Sequence, residues 1–286
     1  MFEIINNGLF KEVSSPIYGK QDIGIAPGGP MDRLSFEVGN ALLGNFADSP
    51  ALEMVISPKL KFKRDCYFVL TGAAYKKVTY KEDRENGEDV NIAHGTVSFA
   101  PAGSVLKFGR KLYGVRTYLC YTDAKNMNKR FSGNAWDEFE KSCDCAIHDR
   151  EIRVVEGPEY RHLDDSEHFL KTQWITTNDL NEMGMRLGCE GDYPTVSMNN
   201  MISGPVSDGT IQLTPNGPIV LLRHRQTVGG YPRIFNVISA DMDLLGQYSA
   251  KKSIRFKKIS IDEAVELAKT RRSALEELKK RLNGVQ

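Results

Sequence analysis

Apolar residues in this chain recur at every second position, in short runs that glycine and proline cut off. Leu60 and Phe62 alternate with Lys59, Lys61 and Lys63, and Val105, Leu106 and Phe108 resume after the Pro101-Ala102-Gly103 turn. Val115, Thr117, Leu119 and Tyr121 share one face, with Arg116 and Tyr118 on the other. Ile152/Val154, Ile211/Leu213, Phe235/Val237 and Ile254/Phe256 repeat the pattern. A period of two belongs to a strand with one buried face. Cys66 to Leu70 is instead a continuous apolar run, and Thr71-Gly72-Ala73 after it reads as a bend. Strands this short favour barrels or sandwiches over alternating strand–helix units. The expected class is mostly β with a few helices.

Two segments carry helical spacing. Asp32 can cap a helix whose Leu34, Val38, Ala41 and Leu42 fall on one face, with Gly44-Asn45 as its stop. Ser260 and Glu263 have the spacing of a capping box, opening a helix with Val265, Ala268, Leu275, Leu278 and Leu282 inward. Its lysines and arginines read as a solvated face. Residues 124–150 are polar and poorly periodic, although a helix over 134–141 fits the pattern. They divide the chain into an N-terminal β-rich lobe (1–123), a linker or crossover (124–150) and a C-terminal β-rich lobe (151–286) ending in the helix.

Charge excludes some functions. Lys and Arg number 38 against 37 Asp and Glu, so no global field favours nucleic acid or an acidic membrane. Met1-Phe2-Glu3-Ile4-Ile5 lacks a basic flank before an apolar run, and no stretch approaches roughly 18 uncharged apolar residues. A cytoplasmic location is expected. The five cysteines suit a reducing compartment. Cys143, Cys145 and His148 lie close together, but no second ligand pair stands at a suitable spacing, so no metal is expected.

Three segments are candidates for chemistry. From Leu221 to Pro232 an apolar strand runs into a polar turn containing Gly229 and Gly230, which permit close approach of a ligand to the backbone. Gln226 and Thr227 offer directional hydrogen bonds and Tyr231 a ring with a polar tip. The same segment also reads as a long hairpin turn. Gly28-Gly29-Pro30-Met31-Asp32-Arg33-Leu34-Ser35 can present backbone N–H groups to an anion at a helix entry, or is simply a capped helix after a turn. It lacks the Gly-Lys-Ser/Thr ending of a nucleotide loop. Arg186, beside Gly184, suits a carboxylate or is an ordinary surface arginine. No Gly-x-Ser-x-Gly is present, and His162 and His168 sit in an acidic loop.

Taken in order, these segments resemble the allophanate hydrolase subunit 2 family, which includes biotin-dependent carboxyltransferases and the C subunit of 5-oxoprolinase. The resemblance runs through Pro27-Gly28-Gly29-Pro30-Met31-Asp32, Ser35, Asn40, Leu43-Gly44-Asn45, Leu52-Glu53, Thr71-Gly72-Ala73 and Arg116-x-Tyr118-Leu119. It continues through Arg153-Val154-Val155-Glu156-Gly157-Pro158-Glu159, Met183-Gly184-x-Arg186-Leu187, Ser197, Gly209-x-Ile211-Gln212 and Gly217-Pro218. Gln226-Thr227-x-Gly229-Gly230-Tyr231-Pro232, Ala240-Asp241 and Gln247 complete it. The family implies two cyclophilin-like β-barrel lobes. It implies an enzyme subunit acting on a small amide, lactam or urea-like molecule, with a partner of the allophanate hydrolase subunit 1 type. ATP, used through the complex, or biotin on a carrier protein would be the co-substrate. Gln226, Thr227 and the backbone at Gly229-Gly230 would serve a developing oxyanion, and Asp32 would accept an N–H proton unless it is only the cap. Gly28, Gly29, Ser35, Arg186, Gln212, His224 and Tyr231 would surround the substrate.

The chain also departs from the family. Val13-Ser14-Ser15-Pro16-Ile17-Tyr18 stands where relatives carry Val-Gln-Asp-x-Gly-Arg. Lys125 to Phe131 replaces a Gly-Ser-x-Ser-Thr loop, and His224 replaces an acidic residue. These losses are polar, so a non-catalytic binding or regulatory module is the rival expectation. Lactam opening with ATP is preferred over carboxyl transfer because the chain carries no biotin carboxylase or biotinyl segment.

Overall fold

The computed structural model describes residues 1–81, 89–126, 139, 151–197 and 201–284, and they form two compact units. The first comprises Met1–Ser15, Asp32–Ala146 and Arg272–Gln286; the second comprises Pro16–Met31 and Ile147–Arg271.

The first unit holds two five-stranded sheets. One orders its strands Phe2–Ile4, Leu60–Phe62, Val105–Phe108, Val78–Lys81 and Asp89–Asn91; the other orders Leu9–Val13, Ala51–Ile56, Lys111–Asp123, Cys66–Tyr75 and Ser98–Ala100. Arg116 and Tyr118 suggest a polar face for the long strand Lys111–Asp123, yet both of its faces are buried. Leu119 joins Leu60, Phe62, Phe68 and Leu106 in one core. Tyr118 and Cys120 join a second core with Phe36 and Val38 of the helix Arg33–Leu42 and Leu275, Leu278 and Leu282. The helix starts where Asp32 caps it, by accepting from the Ser35 N–H at 2.9 Å, and stops at Leu43 before Gly44 with φ 66°. Thr71-Gly72-Ala73 is no break in the chain's strand. Gly72, with φ 80°, kinks a strand that continues to Tyr75.

The second unit is built on one eight-stranded sheet. Its order is Ser253–Ile254, Trp174–Leu180, Gly184–Gly188, Gly217–Leu221, Thr210–Thr214, Arg233–Val237, Ile152–Glu156 and Phe256–Lys258. The two edge strands are separated in sequence by Arg255 alone, so the chain steps from one edge of the sheet to the other and brings it almost to a closed barrel. The interior is aromatic. The Phe169 ring lies 5.0 Å from Trp174, 5.1 Å from Phe235 and 5.5 Å from Phe256, and Trp174 donates its indole N–H to the Phe169 carbonyl at 3.0 Å.

Two charged forks pin this barrel. Arg153 donates two hydrogen bonds to the fully buried Asp241, which also accepts the Arg153 N–H. Arg233 does the same with Glu159. Sheet position decides the roles: each acidic residue meets both the backbone and the side chain of its arginine, which fixes a strand as well as a charge.

The boundaries between lobes differ from those the sequence suggests at two places. Residues Pro16–Met31 belong to the second unit, where Met31 is buried in the barrel core, although they precede the helix of the first. The C-terminal helix Ile261–Asn283 opens with the expected capping box, Ser260 and Glu263 exchanging bonds at 2.8 and 3.2 Å. Its residues from Arg272 onward count with the first unit, because Leu275, Leu278 and Leu282 complete that unit's core. Val265, expected inward, is 43% exposed. Most of 124–150, including the helix considered over 134–141 and the Cys143/Cys145/His148 group, lies outside the described residues; Ala124–Asn126 forms one 3-10 turn.

Phe169 is the hub of the barrel interior, so Phe169→Ala should cost about 3–5 kcal/mol. Urea denaturation followed by near-ultraviolet circular dichroism reads this directly, and a loss under about 1 kcal/mol would contradict the packing described.

Candidate functional site

On the outer face of the barrel, three neighbouring strands bring side chains into line. Arg186 lies opposite Ile219, and Ile219 lies opposite Gln212, so the three share one face while Met185, Leu187, Ile211 and Leu213 fill the interior. They line a concavity of about 200 Å³ with Asp179, Asn181, Gln226 and Tyr231. Arg186 donates from Nε to Asp179 at 3.0 Å and from Nη1 to Thr214 Oγ1 at 3.2 Å. Asn181 makes the turn between Trp174–Leu180 and Gly184–Gly188, its Oδ1 accepting from the N–H groups of Met183 and Gly184.

The segment Gln226 to Pro232 supplies the remaining wall. It is not a plain hairpin turn: Val228–Gly229 forms a short strand paired with Gly204–Pro205. Gln212, only 2% exposed, stands beneath it and donates to the Tyr231 carbonyl at 3.1 Å. Gln226 in turn donates to Gln212 Oε1 at 3.5 Å. A Cβ on Gly229 would sit 2.5 Å from Gln212 Nε2, so glycine is required for the two to coexist. At Gly230 the added atom would lie 3.1 Å from Ser203 Oγ. Thr227 accepts the Val206 N–H through its carbonyl at 3.0 Å and is not among the residues lining the concavity.

The other expected residues lie elsewhere. Asp32 and Ser35 belong to the first unit, in a buried chain of bonds. Ser35 donates its N–H and hydroxyl to Asp32, the Asp32 N–H donates to Tyr118 Oη at 2.8 Å, and Tyr118 donates to Glu53 at 2.7 Å. Burial, then the Glu53 and Asp32 carboxylates, push the Tyr118 phenol well above its ordinary range. The negative charge favoured at this helix N-terminus is thus the protein's own.

Gly28, Gly29 and His224 meet in the second unit. The His224 Nε2 faces the Gly29 carbonyl at 3.0 Å, which requires the tautomer with hydrogen on Nε2. A Cβ on Gly28 would lie 3.3 Å from His224, and one on Gly29 3.0 Å from the Pro16 nitrogen. Both glycines hold positive φ. They serve close backbone packing against Pro16 and His224.

Several polar residues had no sequence signal for the places they occupy. Arg223 reaches Asp243 at 2.7 Å and Asp208 at 3.4 Å; Arg225 meets Asp208 at 3.2 Å, and Arg271 pairs with Asp243. Arg223 and Arg225 are buried, and desolvation lowers the Arg225 guanidinium. Asn181 and Asp179 sit in and beside a turn, where polar residues are ordinary. Burial pushes the Cys66 thiol up to about 12 and raises Cys120 and Cys189, so none of these is poised as a thiolate nucleophile. Among the described residues no helix is long and apolar enough to cross a membrane.

The family described as carboxyltransferase domain, subdomain A and B, matches residues 23–138 and 128–258. The chain belongs to this family. It is 28% identical to the C subunit of 5-oxoprolinase from Escherichia coli over 99% of each chain, and 27% identical to the same subunit from Haemophilus influenzae over 92% of each. The crystal structure of K. lactis urea amidolyase superposes with a TM-score of 0.80 at 20% identity, over 97% of this chain and 20% of that one. The chain therefore spans about a fifth of that larger protein and nearly the whole of the bacterial relatives. The mostly-β fold expected from the family is the one observed.

Two outcomes follow from the geometry of this unit. Gly229→Ala should cost about 1–3 kcal/mol by displacing Gln212, and adding Gln212→Ala should restore most of it; additivity in that double-mutant cycle would remove the proposed conflict. Glu159 is held below its ordinary value of 4.5, chiefly by its hydrogen bond from Arg233. Its stabilisation is complete above 4.5 and is lost as the pH falls through the lower folded value. Wild type should therefore lose more stability than Glu159→Gln in acid titrations of the urea midpoint, with no such excess at neutral pH.

Proposed function

We propose that this chain is a subunit of an enzyme that acts on a small lactam or urea-like amide, and that the reaction is ATP-dependent opening of 5-oxoproline with a subunit-1-type partner. The observation that carries it is the convergence of Gln212, Gln226, Asn181 and Arg186 in one small concavity. Carboxamides match an amide substrate in both donors and acceptors, and a guanidinium matches a carboxylate. End-to-end similarity to two proteins named as 5-oxoprolinase subunits supports lactam over urea.

In this reading the chain's residues bind and orient. Arg186, held by Asp179 and Thr214, presents the face of the concavity to the substrate carboxylate. Gln226 and Asn181 contact the amide, and Gly229 leaves the room that Gln212 needs beside them. Asp32 keeps a structural part as the helix cap. ATP enters through the complex, and the glycine segment at 28–29 is not its site.

Carboxyl transfer from biotin on a carrier protein is the second reading, favoured by similarity to proteins named urea amidolyase. Co-purification decides between them, since a biotinylated protein retained by the chain moves the assignment to carboxyl transfer.

The assay is ATP-dependent glutamate formation from 5-oxoproline by the chain assembled with its partner. Gln226→Ala should lower kcat/KM about tenfold or more, given roughly 1–3 kcal/mol for a buried hydrogen bond. Absence of turnover by the assembled wild-type complex would overturn the lactamase reading.

A further inference from the structure

The concavity contains two side-chain amides whose orientation the backbone dictates. The Tyr231 carbonyl offers only lone pairs, so the end of Gln212 that faces it at 3.1 Å is the NH₂. That turns Gln212 Oε1 toward Gln226, which answers with its own Nε2 at 3.5 Å. Gln226 Oε1 is then the end left for the space it lines. Asn181 is fixed by the same logic with the opposite result. Its Oδ1 accepts from the backbone N–H groups of Met183 at 2.8 Å and Gly184 at 3.2 Å, which leaves Nδ2 outward. One concavity thus presents an amide acceptor and an amide donor, neither of which can exchange ends without facing like against like.

We infer that Gln212 is a positioning residue that holds Gln226 with its oxygen toward the substrate, so that Gln226 Oε1 takes the N–H and Asn181 Nδ2 the C=O of an amide bearing hydrogen on nitrogen. The site selects an N–H lactam over the lactone of the same shape and over its N-alkyl derivative. This rests on the lactam reading above and specifies which atoms do the reading. Gln212 is suited to the task because it is buried, sits where the pairing with Arg233–Val237 shifts register, and is covered by Gly229. A site built to bond a substrate N–H rejects the analogue without it, because its own acceptor is left unpaired.

The chain assembled with its partner is titrated calorimetrically with 5-oxoproline, its N-methyl derivative and the corresponding lactone, 5-oxotetrahydrofuran-2-carboxylate. The lactam should bind roughly ten- to a hundredfold more tightly than either analogue. Gln212→Met, close in shape, frees Gln226 to turn, and the preference should shrink to a few-fold. A role confined to stability would weaken all three ligands alike and leave the ratio unmoved. Asn181→Asp keeps the acceptor for Met183 and Gly184 but offers oxygen where the donor stood. It should weaken 5-oxoproline binding about tenfold or more with the thermal midpoint unchanged. Equal affinity for lactam and lactone in the wild-type complex, or a preference that Gln212→Met does not alter, overturns the inference and leaves the proposed activity standing. A complex that neither binds nor turns over 5-oxoproline overturns both.

Discussion

The second unit depends on a single crossing, in which the chain passes from Ile254 to Phe256 and from one edge of its sheet to the other. A sheet that stops at an edge leaves a row of unpaired N–H and C=O groups. Here Ser253–Ile254 pairs antiparallel with Trp174–Ile175, and Phe256–Lys258 pairs parallel with Ile152–Val154. Ile254 and Phe256 both turn inward, so the closure is also part of the aromatic core. The interior is filled by Phe169, Trp174, Phe235 and their neighbours, and the concavity lies on the outer face. Arg186, Ile219 and Gln212 line up there because the pleat sends alternate residues outward.

The family motifs divide into two physical kinds. Arg153, Asp241, Glu159 and Arg233 are charged, yet their bonds run to each other and to strand backbone, so they set architecture. Gln212, Gln226 and Tyr231 are joined by short-range bonds and line an open space, with Gly229 packed against Gln212. The glycines at 28 and 29 fall with the first kind, since Pro16 and His224 occupy the space beside them. His224 finds its partner in a backbone carbonyl and has a place in this packing.

Much of this was legible in residue order. Alternation located the strands, Asp32 and the Ser260/Glu263 pair marked the starts of the two long helices among the described residues, and Gln226 and Tyr231 line the concavity. What stayed hidden has a common cause. Periodicity shows the face of an element but not the surface it covers, so Leu275, Leu278 and Leu282 read as inward without disclosing which core they complete. Arg223 and Arg225 look like exposed charges because burial by partners distant in sequence, Asp208 and Asp243, leaves no local pattern. Asn181 looks like any turn residue, and only its bonds to Met183 and Gly184 give it a direction.

The interleaving of the two units in the chain has a consequence for synthesis. The first unit begins with Met1–Ser15 and is completed by Arg272–Gln286, with most of the second unit's residues made in between. At roughly 5–20 residues per second, a ribosome takes about 6–25 s to travel from the end of the middle segment to the start of the last one. Throughout that interval the core shared by the Arg33–Leu42 helix and Lys111–Asp123 lacks Leu275, Leu278 and Leu282. The barrel, whose last strand ends at Lys258, is finished first. For this protein, vectorial synthesis therefore runs against the order of the sequence: the half that starts emerging first matures last.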